Sequence, residues 1–416
     1  MGSEADRHGL GLGMSESVRS QLMCPSSARV SAASIPISYL YGQELPNTSA
    51  NSGAVLELCK ALDAHGHPVT IFYRRGDQGE SAIRGLYGIP DSIRLLPLRT
   101  IAGPAQQPFW VLQVRHRAPR SVVISRMGPC AIMAAALRMP AILEMHQLAS
   151  TIKNWGYWSR LLALVAPRHL SIAVLTQAVA DQLDAGLRRR SKSIRVIPSA
   201  AADFAGPEQP GPVYDVGYVG SFMPGKGIEK VLQIARELQD ASFVIYGDPD
   251  RNRQIASDFE ALPNVTLAGF VSRAKVGNAL RSFRIGLAPY ASRGFGGDTM
   301  PFVSSSSMSS LKLIEYMSAG CVVVASRMPA VEATVRDGRE GLLVEEGDTQ
   351  AWVEAVRRVL RDPGLCDDLR REARQRFLDH FSFKERALRF SELVLGHGSS
   401  SPVEKGGART GLPTGG

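Results

Sequence analysis

The stretch SSLKLIEYMSAGCVVVAS, Ser309 to Ser326, decides how the chain reads. Leu311, Leu313, Ile314 and Met317 recur at helical spacing and make one apolar stripe. Gly320 stands where that helix stops, because glycine tolerates a left-handed cap. Cys321 to Ala325 is then an unbroken apolar run, the pattern of a strand buried on both faces. The unit is loop, helix, glycine stop, buried strand. Its loop is the serine run Ser304 to Ser310, broken only by Met308. Backbone N–H groups opening the helix, at Ser309, Ser310, Leu311 and Lys312, lack helical partners and carry partial positive charge, which suits a phosphate. Glu315, about one turn in, could accept hydrogen bonds from sugar hydroxyls. An ordinary helix–strand unit with a solvated Glu315 fits these residues equally well.

The same residues resemble the signature of the retaining glycosyltransferases of family 4, E-x7-E-A/Y-M-A-x-G-x-P-V-V-A. Glu315-Tyr316-Met317-Ser318-Ala319-Gly320-Cys321-Val322-Val323-Val324-Ala325 matches its second half. Ser307 stands where the first glutamate of that pattern falls. The resemblance implies an α/β chain of the GT-B fold, two facing Rossmann-like domains with a cleft between them. It also implies transfer of a hexose from a nucleoside diphosphate sugar with retained anomeric configuration. Lysine and helix-terminal N–H groups would stabilise the leaving diphosphate, so no metal and no other cofactor is expected.

At 416 residues the chain has room for two domains. Its 44% hydrophobic and 21% charged residues are those of a globular protein, and no apolar run nears the roughly 20 residues that span a bilayer. Met1 to Arg29 lacks the apolar core of a secretory signal, and Asp6 stands where a myristoylation motif needs Ser or Thr. The five cysteines are widely spaced and odd in number, as expected of reduced thiols in a cytoplasm. The net charge of +9 resides in Arg29 to Ala205, where 20 Lys and Arg face 10 Asp and Glu. Arg188 to Lys192 is the densest cluster, followed by Arg115, Arg117 and Arg120. Such a face can attract an anionic membrane surface or a phosphate-bearing acceptor, and the expected location is the cytoplasm, peripheral on the inner face of the membrane. No nucleic-acid-binding module accompanies the charge, so nucleic acid is not an expected partner. For any single arginine, a solvated surface explains it as well.

Residues 1–30 read as a disordered N-terminus. Ser34 to Tyr41 reads as a strand, Ala54 to Ala64 as a helix and Pro68 to Tyr73 as a second strand, a βαβ opening. Gly66, His67, Val69 and Ile71 fit the family's L-x-x-x-G-H-x-V-x. Gly53, at the helix start, could let the backbone approach a diphosphate; a simple turn is its alternative role. Ile93 to Leu98, Trp110 to Val114 and Ser121 to Ser125 read as strands, Pro129 to Leu137 as a helix, and Ala141 to Met145 as a buried strand leading into His146. Open α/β sheets keep ligands just past the carboxyl ends of their strands. In the family a histidine in this region touches the donor sugar near its reacting carbon, and the resemblance gives His146 that role. Ser150 to Leu170 mixes tryptophans and cations, which fits an interfacial helix or core packing.

The first domain is expected over 31–203, the second over 204–380, a helix crossing back over 381–395, and a disordered tail over 396–416. The second domain opens with the strand Asp215 to Gly220. Gly220 to Gly227 follows the family's G-R-x-x-x-x-K-G, with Ser221 in place of the arginine. Lys226 is therefore expected on the donor diphosphate with Ser309, Ser310, Leu311 and Lys312, the last supplying the missing cationic charge. Gly220, Gly247, Phe270, Val271 and Glu315 are expected around the nucleotide. Ser307 and Asp298, in the long segment Ser292 to Ser310, would face the sugar. His146 and Glu315 are the expected catalytic pair. The partners implied are a nucleoside diphosphate sugar and a glycan or lipid-linked acceptor. The absent arginine and glutamate leave a second reading open: a catalytically silent GT-B protein that binds a nucleotide sugar or a partner. A sugar-nucleotide epimerase of similar fold is a third.

Overall fold

The structure is a computed structural model that describes residues 34–47, 50–146, 160–161, 164, 169–183, 188, 191–205, 211–223, 226–291 and 311–398. The long segment 292–310, which includes Asp298, lies outside these, as do both chain termini and most of Ser150 to Leu170.

The first half runs β1 (Ile37–Leu45), α1 (Ala50–Ala64), β2 (Val69–Arg75), α2 (Glu80–Tyr87), β3 (Arg94–Leu98), α3 (Gln106–Arg117), β4 (Val122–Ser125), α4 (Gly128–Ala136), β5 (Ala141–Met145), β6 (Leu170–Val174), α5 (Gln177–Asp181) and β7 (Ser193–Val196). Its seven strands form one parallel sheet in the order β3-β2-β1-β4-β5-β6-β7. β4 and β5 are buried along their whole length, as an apolar run covered by helices on both faces requires. Trp110 to Val114 is not the strand expected from its sequence but the middle of α3. Trp110, Val111 and Val114 share one helical face and are all buried, and a five-residue apolar run does not by itself distinguish the two periods.

The second half runs β8 (Tyr214–Val219), α6 (Ile228–Glu237), β9 (Phe243–Tyr246), α7 (Arg253–Glu260), β10 (Val265–Gly269), α8 (Val276–Arg281), β11 (Phe283–Ala288), α9 (Leu311–Ala319), β12 (Val322–Ser326), α10 (Pro329–Glu332), β13 (Gly341–Val344), α11 (Thr349–Arg361), α12 (Pro363–His380) and α13 (Phe383–Gly398). Six of its strands pair in parallel in the order β10-β9-β8-β11-β12-β13. In register, Ile285 of β11 faces Val216 on one side and Val322 on the other. The strand order reverses between β1 and β4 in one sheet and between β8 and β11 in the other. A crevice opens at the carboxyl ends of the strands at such a reversal.

The last helix belongs to the first half. Phe383, Ala387, Phe390, Leu393 and Val394 of α13 complete the core formed by β1, β2 and α1. Three polar ties fasten it. Ser391 hydroxyl meets His67 Nε2 at 2.6 Å, His397 Nε2 meets Ser171 Oγ at 2.9 Å, and Arg386 reaches Glu144 at 2.5 Å. α13 continues to Gly398, past the end expected at residue 395, because His397 docks on β6 and tertiary contact outweighs the helix-weakening glycines.

Candidate active site

The crevice of the second sheet is built by α9, the helix within Ser309 to Ser326. Its Tyr316 hydroxyl accepts from Val219 N–H at 3.1 Å and donates to the Leu287 carbonyl at 3.1 Å. One side chain thus pins α9 across the β8/β11 reversal. The loop after β8 returns to the same place. Gly227, at φ +79°, brings the start of α6 against the Pro289 carbonyl, where a Cβ would lie 1.7 Å from the oxygen. Only glycine fits there, on conformation and on space.

Lys312 projects from the first turn of α9 into this corner. Its Nζ lies 3.9 Å from the centre of the Tyr218 ring and 5.4 Å from that of Tyr290. Nζ is wholly buried and has no hydrogen-bond partner among the described residues. Burial, then the nearby Lys226 charge, pulls its amine down to about 7, against a smaller opposing effect of Glu315. A Cβ at position 220 would stand 2.8 Å from that nitrogen, so Gly220 forms the floor beneath it. Lys226 is half-buried, burial lowers its amine as well, and the Tyr218 hydroxyl donates to its carbonyl at 3.2 Å. Glu315 is buried and accepts from Arg273 Nη1 at 2.6 Å. Burial raises its carboxyl, while Arg273 and Lys312 pull it back.

Gly220, Lys226, Lys312 and Glu315 are therefore neighbours. Gly247 joins them through the ends of the strands: its N–H donates to the Gly269 carbonyl and that of Gly220 to the Tyr246 carbonyl, both at 2.9 Å. Phe270 follows as a side chain 79% exposed, and Val271 packs against the core. Leu311 opens α9 and is half-buried. Ser221 supplies no cation; its hydroxyl accepts from Met223 N–H at 3.3 Å. Gly53 lies within α1 instead of ahead of it, and no atom within 4 Å of a Cβ built there calls for glycine. Ser307, Ser309, Ser310 and Asp298 lie outside the described residues. The sequence does contain one Asp-x-Asp, Asp248-Pro249-Asp250, directly after β9. Asp248 caps its own turn by accepting from Asp250 N–H and pairs with Arg251 at 3.4 Å, and Asp250 pairs with Arg253 at 2.7 Å.

His146 stands in the other half, past the end of β5. Its Nε2 lies 2.6 Å from Glu144 Oε1, and a third of its side chain is open to solvent. Glu144 is buried and also receives Tyr39 Oη at 2.7 Å, Arg126 Nη2 at 2.9 Å and Arg386 Nη2 at 2.5 Å. Against the cost of burial, Arg126, Arg386 and His146 hold its carboxyl well below the usual range. Burial, with help from the two guanidinium groups, lowers His146 and outweighs the pull of Glu144, so the ring is neutral near pH 7. The two halves meet at a shared space. Ile314 of α9 and Thr176 and Gln177, just past β6, line one cavity of about 330 Å³, and His146, Lys226, Lys312 and Glu315 are not in its lining.

Sequence reasoning passed over Arg273, Tyr218, Tyr290, Arg126 and Arg386, which partner the expected residues. A carboxylate inside an otherwise apolar strand was the available signal for Glu144.

Two parallel Rossmann-like sheets, with α13 returning to the first, define a GT-B glycosyltransferase. The chain belongs to glycosyltransferase family 4: the Glycosyltransferase Family 4 profile matches residues 54–201 and that of Glycosyl transferases group 1 matches residues 214–362. It is 25% identical over 341 residues to the lipopolysaccharide core biosynthesis glycosyltransferase LpsE of Rhizobium meliloti, a match covering 79% of this chain and 90% of that one. The crystal structure of a glycosyltransferase from Rickettsia africae superposes with a TM-score of 0.66 at 15% identity, over 88% of this chain and 100% of that one. Anabaena HepE in complex with UDP-glucose superposes at 0.58 and 14% identity, over 85% and 98%. No described helix is long and apolar enough to cross a membrane.

Proposed function

We propose that the protein moves a hexose from a nucleoside diphosphate sugar to a glycan or lipid-linked acceptor, with retention of configuration and without a metal, in surface polysaccharide or glycolipid synthesis. The observation that carries this reading is the buried Lys312 ammonium nitrogen, which has no described partner and sits beside Lys226 at the β8/β11 reversal. An isolated buried cation is costly, and a diphosphate is the counter-charge that this corner would accept. As the bond from the anomeric carbon to the diphosphate oxygen breaks, negative charge develops on the leaving group. Lys226 and Lys312, with the N–H groups opening α9, would stabilise that charge. Glu315 would receive the ribose hydroxyls, its carboxylate held by Arg273. Gly220, Gly247, Phe270 and Val271 would frame the nucleotide, and His146 would meet the sugar. The acceptor hydroxyl would attack from the face the diphosphate leaves and pass its proton to the departing phosphate oxygen. The relative that builds a lipopolysaccharide core supports an acceptor of the glycan or glycolipid class. The basic first half supports work at an anionic membrane surface.

Ser221, where the family signature has arginine, favours a second reading as a binding protein without turnover. A thermal-shift screen against nucleoside diphosphates and their sugars, followed by product analysis, separates the two. The transferase reading requires a donor that both stabilises the protein and is consumed, and requires Lys226→Ala and Glu315→Ala to abolish consumption. Stabilisation by a nucleotide with no turnover on any donor and acceptor pair would leave the binding reading standing.

A further inference from the structure

Among the described residues, the carboxylate that receives the most different side chains is Glu144, directly behind His146. Glu144 is buried and receives four donors from four parts of the chain: Tyr39 on β1, Arg126 after β4, His146 after β5, and Arg386 on the returning helix α13. Arg386 is itself buried; it also donates to the Ile197 carbonyl at 2.9 Å and to that of Pro198, in the chain leading toward the second half. Two guanidinium groups keep Glu144 ionised, so it can only accept. Facing a carboxylate at 2.6 Å, His146 Nε2 must carry the proton, which leaves Nδ1 as an acceptor.

We propose that Glu144 and Arg386 are positioning residues for His146: together they fix its ring and its Nε2–H tautomer, and α13 delivers half of that support from the far end of the chain. The consequence for chemistry is specific. A histidine locked as Nε2–H can accept a hydrogen bond from a sugar hydroxyl through Nδ1 but cannot donate one there. Because Arg386 also holds the backbone at Ile197 and Pro198, the seating of α13 and the state of His146 are one arrangement. This inference rests on the role given to His146 above for its kinetic consequence, though not for the tautomer itself.

The test uses the full chain labelled with nitrogen-15 in its histidines, which number 8, with the His146 signals assigned from a His146→Gln sample. The expected wild-type imidazole shows a protonated Nε2 and an unprotonated Nδ1 at pH 7. In Glu144→Gln and in Arg386→Lys that pattern gives way to a tautomer mixture, and kcat falls about 10- to 100-fold with little change in donor KM, the scale on which loss of the carboxylate behind a metal-bound histidine acts. A wild-type His146 protonated on Nδ1 overturns the proposal without any variant, so poor folding of either substitution does not shield it. So does an unchanged tautomer in a folded variant. If instead the tautomer shifts as stated while His146→Gln turns over normally, the positioning stands and the sugar-contact role of His146 falls.

Discussion

Replacing Lys312 by methionine gives a protein that is more stable and unable to hold a diphosphate. Folding buries the Lys312 nitrogen completely, over the Tyr218 and Tyr290 rings and with no described hydrogen-bond partner. The amine titrates near 7 instead of at its ordinary 10.5. At about 1.4 kcal/mol for each pH unit, that gap is a destabilisation of roughly 5 kcal/mol. Relaxation around the buried charge reduces it, and methionine packs on the same rings, so the expected gain at pH 7 is about 2–4 kcal/mol. The sign over pH follows from proton counting. Below about 7 both folded and unfolded chains hold the proton, and the full cost is present. From 7 to 10.5 the unfolded chain holds a proton that the folded one lacks, so wild-type stability climbs as pH rises. Near 10.5 the cost has gone. The advantage of Lys312→Met is therefore greatest at or below about pH 7 and fades toward about pH 10. Thermal melts at a series of pH values, each with and without a nucleoside diphosphate, read both effects. At about 2 °C or more per kcal/mol, the unliganded variant melts at least about 4 °C higher, and the nucleotide shift seen in wild type disappears. A variant that melts lower than wild type at pH 7, or one that keeps the whole nucleotide shift, refutes the assignment of a strained ammonium awaiting phosphate.

Other expectations follow from the same contacts. Gly227→Ala forces a Cβ to within 1.7 Å of the Pro289 oxygen at a positive φ, and urea unfolding should show a loss of at least about 3 kcal/mol; near-wild-type stability would mean that the α6 start does not sit where described. His67 donates Nδ1–H to the Ile35 carbonyl at 3.0 Å and accepts from Ser391, so His67→Ala loosens α13. Hydrogen exchange should then rise across residues 383–398 ahead of the second half, and uniform exchange would contradict the docking. Exhaustive chelation should leave transfer unchanged, since Asp248 and Asp250 are paired with Arg251 and Arg253; restoration of lost activity by added Mg²⁺ or Mn²⁺ would overturn metal independence.

The second half was readable because local and long-range signals agree there. Leu313, Ile314 and Met317 repeat at helical spacing, Gly320 takes φ +78°, and Val322 to Ala325 is buried throughout. Trp110 to Val114 misled because a short apolar run satisfies a strand and a helix alike. α2 and α8, with 8 and 6 residues, are shorter than the window of about 11 residues over which helical periodicity is read. The site divided along similar lines. Lys226 and Glu315 sit in motifs whose spacing survives in the chain. Arg273 and Arg386 act across 42 and 242 residues of sequence, and nothing local marks an arginine whose partner is supplied by another element.

The two parts of the candidate site, one in each half, are held in opposite ways. Behind His146 the buried carboxylate is fully engaged: Glu144 has two arginines, a tyrosine and the imidazole itself, so the ring is set before any ligand arrives. The Lys312 nitrogen, by contrast, has no described hydrogen-bond partner: Lys226 repels it, Glu315 offsets only part of its cost, and two aromatic faces are its main shelter among the described residues. Preorganised polar groups cost nothing further at the moment of reaction, whereas an uncompensated buried cation keeps its cost until an anion enters. The imbalance gives the order of events a physical basis. Under the proposed function, a diphosphate would relieve strain in the second half on binding, while His146 would neither gain nor lose a charge partner. On that reading, free energy for drawing the donor in would reside in α9, and geometric accuracy in the first half, secured by the helix that ends the described chain.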